Sequence, residues 1–398
     1  MVGSACRLPN GQLEVRLPGG ETRTTHGVDR LDAGIYFPPD WDAVEPPCVT
    51  DPGREHHGLL IYARPADRPD RFVELEHEIE DMAAFANGLL VREAAEFDRS
   101  VQYRLACDAD GSVRVDTVDL SVPVGLNLHF SSVVSDLQAA GYTSPLAKYW
   151  VWVDTGYPFG GVGDFEDDSR PTPSNANNRG PSYGLTWGVR LHEGGANVLA
   201  HENGHNLGAV VTTAPNTSGD AHCNDGLDVM CYADGGPFSQ YDPDVCARLH
   251  FDCGHDDYFH PDPSPASYLG RFWNIASPFN RFVQGCVHRA GSLSLLGTVT
   301  VVVPPQCGGH PYALSSTVDV ARPDLSGVQL LRPVDRALPD TVSADTPVLD
   351  VCWYRAASLL RCDPGALSYV SARVPRGADS ARVTLRAGRE TPYAFSII

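Results

Sequence analysis

An α+β domain, built on a twisted mixed sheet with one chemistry-bearing helix and followed by an all-β sandwich, is what this sequence predicts. Three observations carry that prediction. Stretches with apolar residues at helical spacing alternate with strongly β-prone runs through most of the chain. The run His201-Glu202-Asn203-Gly204-His205-Asn206-Leu207-Gly208 stacks two imidazoles one helical turn apart. After Cys286 the helical signal disappears, and short β-type runs are separated by Pro, Gly and Asp.

Residues 1–55 are rich in Gly, Pro and Asp with little periodicity, and read as a loosely structured N-terminal extension. Gly58–Ala63 reads as a buried strand. Between Arg71 and Glu96, Phe72, Ile79, Met82, Ala83, Leu90 and Ala94 recur at helical spacing, with an interruption expected near Asn87-Gly88. Val101–Ala106 and Ser112–Leu120 flank Asp108-Ala109-Asp110-Gly111, a hairpin signal. Ser131–Ala140 is a short amphipathic helix closed by Gly141, and Tyr149–Val153 a core strand. A long loop, of a kind that is usually functional, runs from Asp154 to Tyr183. The motif-bearing helix spans Gly194–Leu207, and Ala266–Val283 forms a terminal segment packed through aromatic residues. Val299–Val303, Val328–Leu331, Val348–Trp353 and Ala381–Leu385 are the sandwich strands. The expected division is therefore an extension (1–55), a catalytic domain (56–288) and a β-sandwich accessory domain (289–398).

The 398-residue chain is 42% hydrophobic and 20% charged, enough to bury a sizeable core. Its formal net charge of −20 argues against nucleic acid and against an anionic membrane surface as partners. No apolar run reaches transmembrane length, so no membrane insertion is expected. Met1–Cys6 lacks the apolar stretch of a signal peptide, and reads as the start of a processed or engineered form. Eleven cysteines without a CxxC suggest disulfides and an extracellular, oxidising setting. Short-range couples are Cys223–Cys231, Cys246–Cys253 and Cys352–Cys362, with Cys6–Cys48 and Cys286–Cys307 as further pairs and Cys107 the expected free thiol. Lys148, the only lysine, reads as codon bias.

Neutral imidazoles at His201 and His205 can grip one Zn²⁺, and Glu202 can reach a water on that metal as general base. Gly208 and the downstream Asp228-Val229-Met230-Cys231-Tyr232 follow in the order of a glycine-broken helix and a methionine turn. On these residues the chain resembles the metzincin clan of zinc endopeptidases. More closely, Leu207–Val210, Ala214-Pro215, Ala221-His222-Cys223 and Asp228–Tyr232 are similar to a group of secreted actinobacterial metzincin-like proteins. The resemblance implies a twisted sheet, a backing helix and an active-site helix below a cleft. It also implies protein or peptide substrate, paired along an edge strand near Pro158–Val162.

A catalytic zinc wants three protein ligands. The metzincin pattern puts the third at position 211, where this chain has Val211, which cannot ligate. His222, Asp220, Asp225 and Asn216 are the nearby candidates; His222 leads on chemistry, and the resemblance favours it too. A Cys223–Cys231 bridge would tie His222 to the methionine turn. Tyr232 is either an oxyanion donor or a packed aromatic, and Met230 an apolar floor. Calcium is a candidate at two acidic loops: Asp164, Glu166, Asp167 and Asp168, and Asp252, Asp256 and Asp257. Ser182 fits the letter of GxSxG but lacks the strand-turn-helix context of a nucleophile elbow. The reading is a secreted zinc endopeptidase. Its alternatives are a non-catalytic binding protein on the same scaffold with a degraded zinc site, and a zinc hydrolase acting on other bonds.

Overall fold

The computed structural model describes residues 3, 5–8, 12–29, 38–97, 99–157, 159–277, 279–284, 289–293, 296, 298–302, 314–318, 348–366, 375, 378, 380–387 and 393–397. The chain divides into two compact units. The first, essentially residues 1–276, holds ten strands of interest: β1 (Ala5–Arg7), β2 (Leu13–Arg16), β3 (Thr22–Thr25), β4 (Cys48–Val49), β5 (His57–Arg64), β6 (Leu105–Ala106), β7 (Val115–Asp119), β8 (Ala147–Val153), β9 (Gly161–Gly163) and β10 (Ser182–Thr186). Its helices are α1 (Phe72–Ala95), α2 (Phe130–Ala139) and α3 (Gly195–Asn206).

The main sheet has the order β9-β10-β8-β5-β6-β4, with β7 also on β5. It is parallel throughout except at β9, which pairs antiparallel with β10 at the sheet edge. A parallel sheet is covered on both faces, which explains why β8 is buried along its whole length. With a side-chain period of two, Leu59, Ile61, Ala63, Tyr149, Val151, Val153, Val162, Tyr183 and Leu185 point one way. There they meet Phe130, Val133, Val134 and Leu137 of α2. The alternate positions of the edge, Gly161, Gly163 and Gly184, lie under α3, where a Cβ would come within 2.2–3.2 Å of Glu202 or its carbonyl. The small residues let α3 lie directly on the sheet edge.

Several expectations need correction. Among the described residues of the N-terminal extension, β1, β2 and β3 form a three-stranded antiparallel sheet, and Val15 and Leu17 join the α2-side core. α1 runs without interruption through Asn87-Gly88. That pair is a docking point instead: Asn87 Nδ2 donates to the Val44 carbonyl, and a Cβ at Gly88 would collide with the Asp42 carbonyl. The Asp108–Gly111 turn closes a short hairpin, in which Cys107 pairs antiparallel with Val113 and Arg114 N–H donates to the Ala106 carbonyl, before the flanking chains diverge to pair in parallel with β5. Cys48 bonds Cys107, leaving Cys6 free; parallel pairing of β4 with β6 brings those two sulfurs together, which no sequence spacing reveals. The three short-range couples are bonded as expected. Cys286–Cys307 and Val328–Leu331 lie outside the described residues.

Residues 277–398 belong to the second unit. Its described strands form two antiparallel sheets: Arg289–Leu293, Tyr393–Ile397 and Leu314–Val318 in one, and Thr298–Val302, Ser380–Ala387, Val348–Arg355 and Ser358–Ala366 in the other. Leu349, Val351, Trp353, Ala381, Val383 and Leu385 alternate inward to form its core.

Candidate metal centre

α3 carries His201, Glu202 and His205, all fully buried. The helix ends at Gly208, whose left-handed φ of +82° and close contact with Asn177 leave no room for a side chain. Lys148 is not idle: its buried ammonium donates to the Asn206 carbonyl at 2.5 Å, closing the helix C-terminus. Burial lowers its pKa to about 7. Asn206 Nδ2 donates to the Asp164 and Tyr183 carbonyls and so ties the helix to the sheet edge.

The methionine turn forms as expected. Asp228 accepts from the N–H of Met230 and of Cys253, which shapes the turn, and Met230 is buried against α3. A Cβ at Gly204 would stand 2.5 Å from Met230 Sδ. The glycine that costs helix propensity by ~1 kcal/mol is therefore the space the methionine needs. The Cys223–Cys231 disulfide joins the turn to the loop bearing His222. Val211 lies in the core.

The rings of His201, His205 and His222 cluster with centroids 4.7–5.2 Å apart, and of the three His201 and His205 belong to the group whose ligand atoms all lie within 4.8 Å of one another. The Val229 carbonyl can only accept, so His201 Nδ1 carries a hydrogen toward it and Nε2 is turned inward. Asp234 does the same for His222 at 3.1 Å, and the buried His222 Nε2 makes no hydrogen bond. His205 Nε2 stands 3.0 Å from His201 Nε2. The ring centroids of His222 lie 5.2 Å and 5.1 Å from those of His201 and His205. Burial, then the surrounding histidines, holds His205 well below its ordinary pKa and keeps it neutral. Asp234 is held low although burial opposes it, because His222 and Ser218 hydrogen-bond its carboxylate. Tyr232 packs on His222, with ring centroids 4.4 Å apart.

Two residues that sequence reasoning missed complete the centre. His26 and Asp29, from the N-terminal segment, are buried within it. Asp29 Oδ2 is 2.8 Å from His201 Nε2 and Oδ1 is 3.6 Å from His222 Nε2, while the Tyr232 hydroxyl donates to Oδ1. The His26 ring stacks on His205 at 3.8 Å, and its Nε2 accepts from the Gly163 N–H. Burial keeps His26 neutral, with its pKa lowered to about 4. Glu202 lies 3.4 Å from His26 Nε2 and also faces the Asp29 carboxylate. Burial, then the charge of Asp29, pushes its pKa well up.

Ligand atoms of His26, Asp29, His201, Glu202 and His205 lie within 4.8 Å of one another, a group that could hold a metal ion. Convergent lone pairs from imidazoles and carboxylates repel unless a cation or proton lies among them, so the donor set suits a metal on this structure's own geometry. No sequence signal marked His26 or Asp29, because neither belongs to a spaced motif.

The other expected sites resolve differently. Of the first acidic loop, Asp164 is taken up by Arg23, Asp167 by Thr212 and Asp168 by Arg170. Asp252 accepts from the Tyr258 and Phe259 N–H groups. Asp256 and Asp257 converge instead with Asp225 within 4.8 Å. Asp225 thus belongs to that cluster, and Asp220 pairs with Arg7. Asn216 donates to Asp225. Ser182 opens β10 and accepts from Lys148.

No protein-family model and no curated protein matches the chain. Among solved structures it is similar to wild-type OgpA from Akkermansia muciniphila, at 12% identity over 93% of this chain and 88% of that one, TM-score 0.29. A catalytically inactive OgpA in complex with an O-glycopeptide (glycodrosocin) substrate is similar at 11% identity, over 94% of this chain and 88% of that one, TM-score 0.29. Likeness at this level carries no argument about function.

Proposed function

We propose that this chain is a secreted zinc-dependent endopeptidase. The observation that carries the reading is the clustering of His201, His205 and His222 beside a buried Glu202 at the antiparallel edge of the sheet. On this reading those three histidines hold Zn²⁺, which when bound supplies Lewis acidity and lowers the pKa of water toward about 7. Glu202 accepts the proton of the attacking water and later delivers it to the leaving amine. Tyr232 donates its hydroxyl to the developing oxyanion. β9 aligns a protein or peptide substrate by main-chain pairing. Four disulfides among the described residues support an extracellular setting, and no described helix is long and apolar enough to cross a membrane.

We also propose Ca²⁺ at Asp225, Asp256 and Asp257, supported by the buried Asp257 Oδ2 that accepts no hydrogen bond. The rival reading, a non-catalytic binding protein, predicts the same scaffold without turnover.

Zinc content and casein cleavage separate these readings. Glu202→Ala should keep about one zinc per chain and lose cleavage by a factor of at least ~10². His222→Ala should lose zinc. Because His26 and Asp29 sit in the centre, cleavage is measured in the Asp29→Ala background as well as in the unaltered chain. Absence of zinc, or full zinc with no cleavage in either background, would sink the peptidase reading and favour the binding protein.

A further inference from the structure

A second group of imidazoles and carboxylates lies beside the methionine turn. Glu93, in the last turn of α1, and Glu96, which closes that helix, stand on one helical face. Against them lies a loop closed by the Cys246–Cys253 disulfide, which carries His250, with His255 just beyond it. Its backbone is tied to the turn: His250 N–H donates to the Leu227 carbonyl at 2.8 Å, and Val229 N–H to the His250 carbonyl at 2.9 Å. Ligand atoms of Glu93, His250 and His255 lie within 4.8 Å of one another. The fully buried Glu93 has Oε2 2.8 Å from His250 Nδ1, while Arg92 donates to Oε1 at 3.0 Å. Glu96 Oε2 stands 3.3 Å from His255 Nε2, and Arg248 donates to Oε1 at 2.5 Å. The Glu96 carboxylate accepts, so His255 Nε2 carries a hydrogen toward it; His255 Nδ1 is buried and makes no hydrogen bond.

We propose that Glu93, His250 and His255 form a zinc site separate from the centre on α3, and that its ion clamps the C-terminus of α1 to the loop beside the methionine turn. Two imidazoles and one carboxylate, with water as the fourth ligand, are a donor set for Zn²⁺. Glu96 orients His255: a ligating imidazole gives its other N–H to a carboxylate. The C-terminal end of a helix favours a cation. His255 is held at a φ of +55°, a left-handed backbone that non-glycine residues seldom adopt. The His250 and His255 side chains keep 15% and 14% exposure, which leaves the ion a path from solvent. That open rim lets the ion exchange, so it is counted by titration and not in the protein as isolated. No residue is shared with the α3 centre, so the site stands or falls apart from the peptidase reading.

The test titrates the full chain with Zn²⁺ by calorimetry, unaltered and as His255→Asn, Glu93→Gln and His205→Ala, with circular dichroism to confirm folding. Asparagine tolerates the left-handed backbone, so His255→Asn removes the ligand without straining the loop. His255→Asn and Glu93→Gln should each take up one zinc fewer than the unaltered chain, whatever the α3 centre holds. In His205→Ala, which impairs that centre, Zn²⁺ at ~100 times its Kd should raise Tm by about 5 °C or more. The rise should vanish in His205→Ala/His255→Asn. Co²⁺ should give His205→Ala visible absorption bands that His205→Ala/His255→Asn lacks. Equal uptake by the unaltered chain, His255→Asn and Glu93→Gln would overturn the site and leave these side chains as ion pairs. Uptake abolished by His205→Ala but untouched by His255→Asn would also overturn it, while the α3 centre stands. Uptake kept in His205→Ala and lost on adding His255→Asn would establish the site even where no form of the chain cleaves casein.

Discussion

At Gly204 two local rules conflict, and packing decides. Helix propensity favours Ala by ~1 kcal/mol, but an added Cβ would meet Met230 Sδ at 2.5 Å. Gly204→Ala should therefore destabilise the protein by roughly 1–3 kcal/mol, as overpacking does. In a double-mutant cycle with Met230→Ala that penalty should shrink, because the opposing sulfur is gone. Urea denaturation of the four proteins checks this, and strictly additive effects would contradict it. The motif was legible in the sequence at His201, Glu202, His205, Gly208 and Met230 because its spacing is local. The use of Lys148 to close α3 was not, since its carbonyl partner lies 58 residues away.

At the scale of elements, the Cys223–Cys231 disulfide links the loop that places His222 to the turn that places Met230. Closing so short a loop stabilises the fold by about 2–3 kcal/mol in the chain-entropy account. Replacing both cysteines by alanine should lower stability by that amount and reduce zinc occupancy, because His222 loses its fixed approach. Zinc stoichiometry and the denaturation midpoint are the measurements; unchanged zinc with a lowered midpoint would mean that Asp234 alone orients His222. The pairing itself was legible from its spacing of eight residues, whereas Cys48–Cys107, 59 residues apart, depended on which strands pair. The edge at Gly161–Gly163 was expected as a strand, near Pro158–Val162, only through the family resemblance, since three residues carry too little pattern of their own.

For the molecule as a whole, the Asp225, Asp256 and Asp257 cluster sets a pH signature. Burial and then neighbouring carboxylates raise Asp225 to about 6. Burial, outweighing the Asn216 N–H and reinforced by Asp256 and Asp225, raises Asp257 to about 7. The folded state then binds more protons than the unfolded one between roughly pH 4 and 7, so this contribution to stability is full below about pH 4 and is lost as pH rises through 6 to 7. In chelator, Tm should fall over that window, and fall less in Asp257→Asn. Ca²⁺ at millimolar concentration should restore Tm near pH 7.5 and not near pH 4.5. A melting temperature indifferent to Ca²⁺ at both would remove the calcium assignment.

By itself the sequence determined the α+β class, the helix that carries His201, Glu202 and His205, and the short disulfides. Each rests on a period or a spacing of a few residues, which survives whatever the rest of the chain does. Tertiary structure decided how the centre is completed. His222 is brought in by a disulfide-bonded loop, and His26 and Asp29 by a segment 172 or more residues before His201, laid along the sheet edge. Such encounters depend on which backbone edges are left unpaired after the sheet forms, and only the folded chain shows that the N-terminal segment covers the β9 edge.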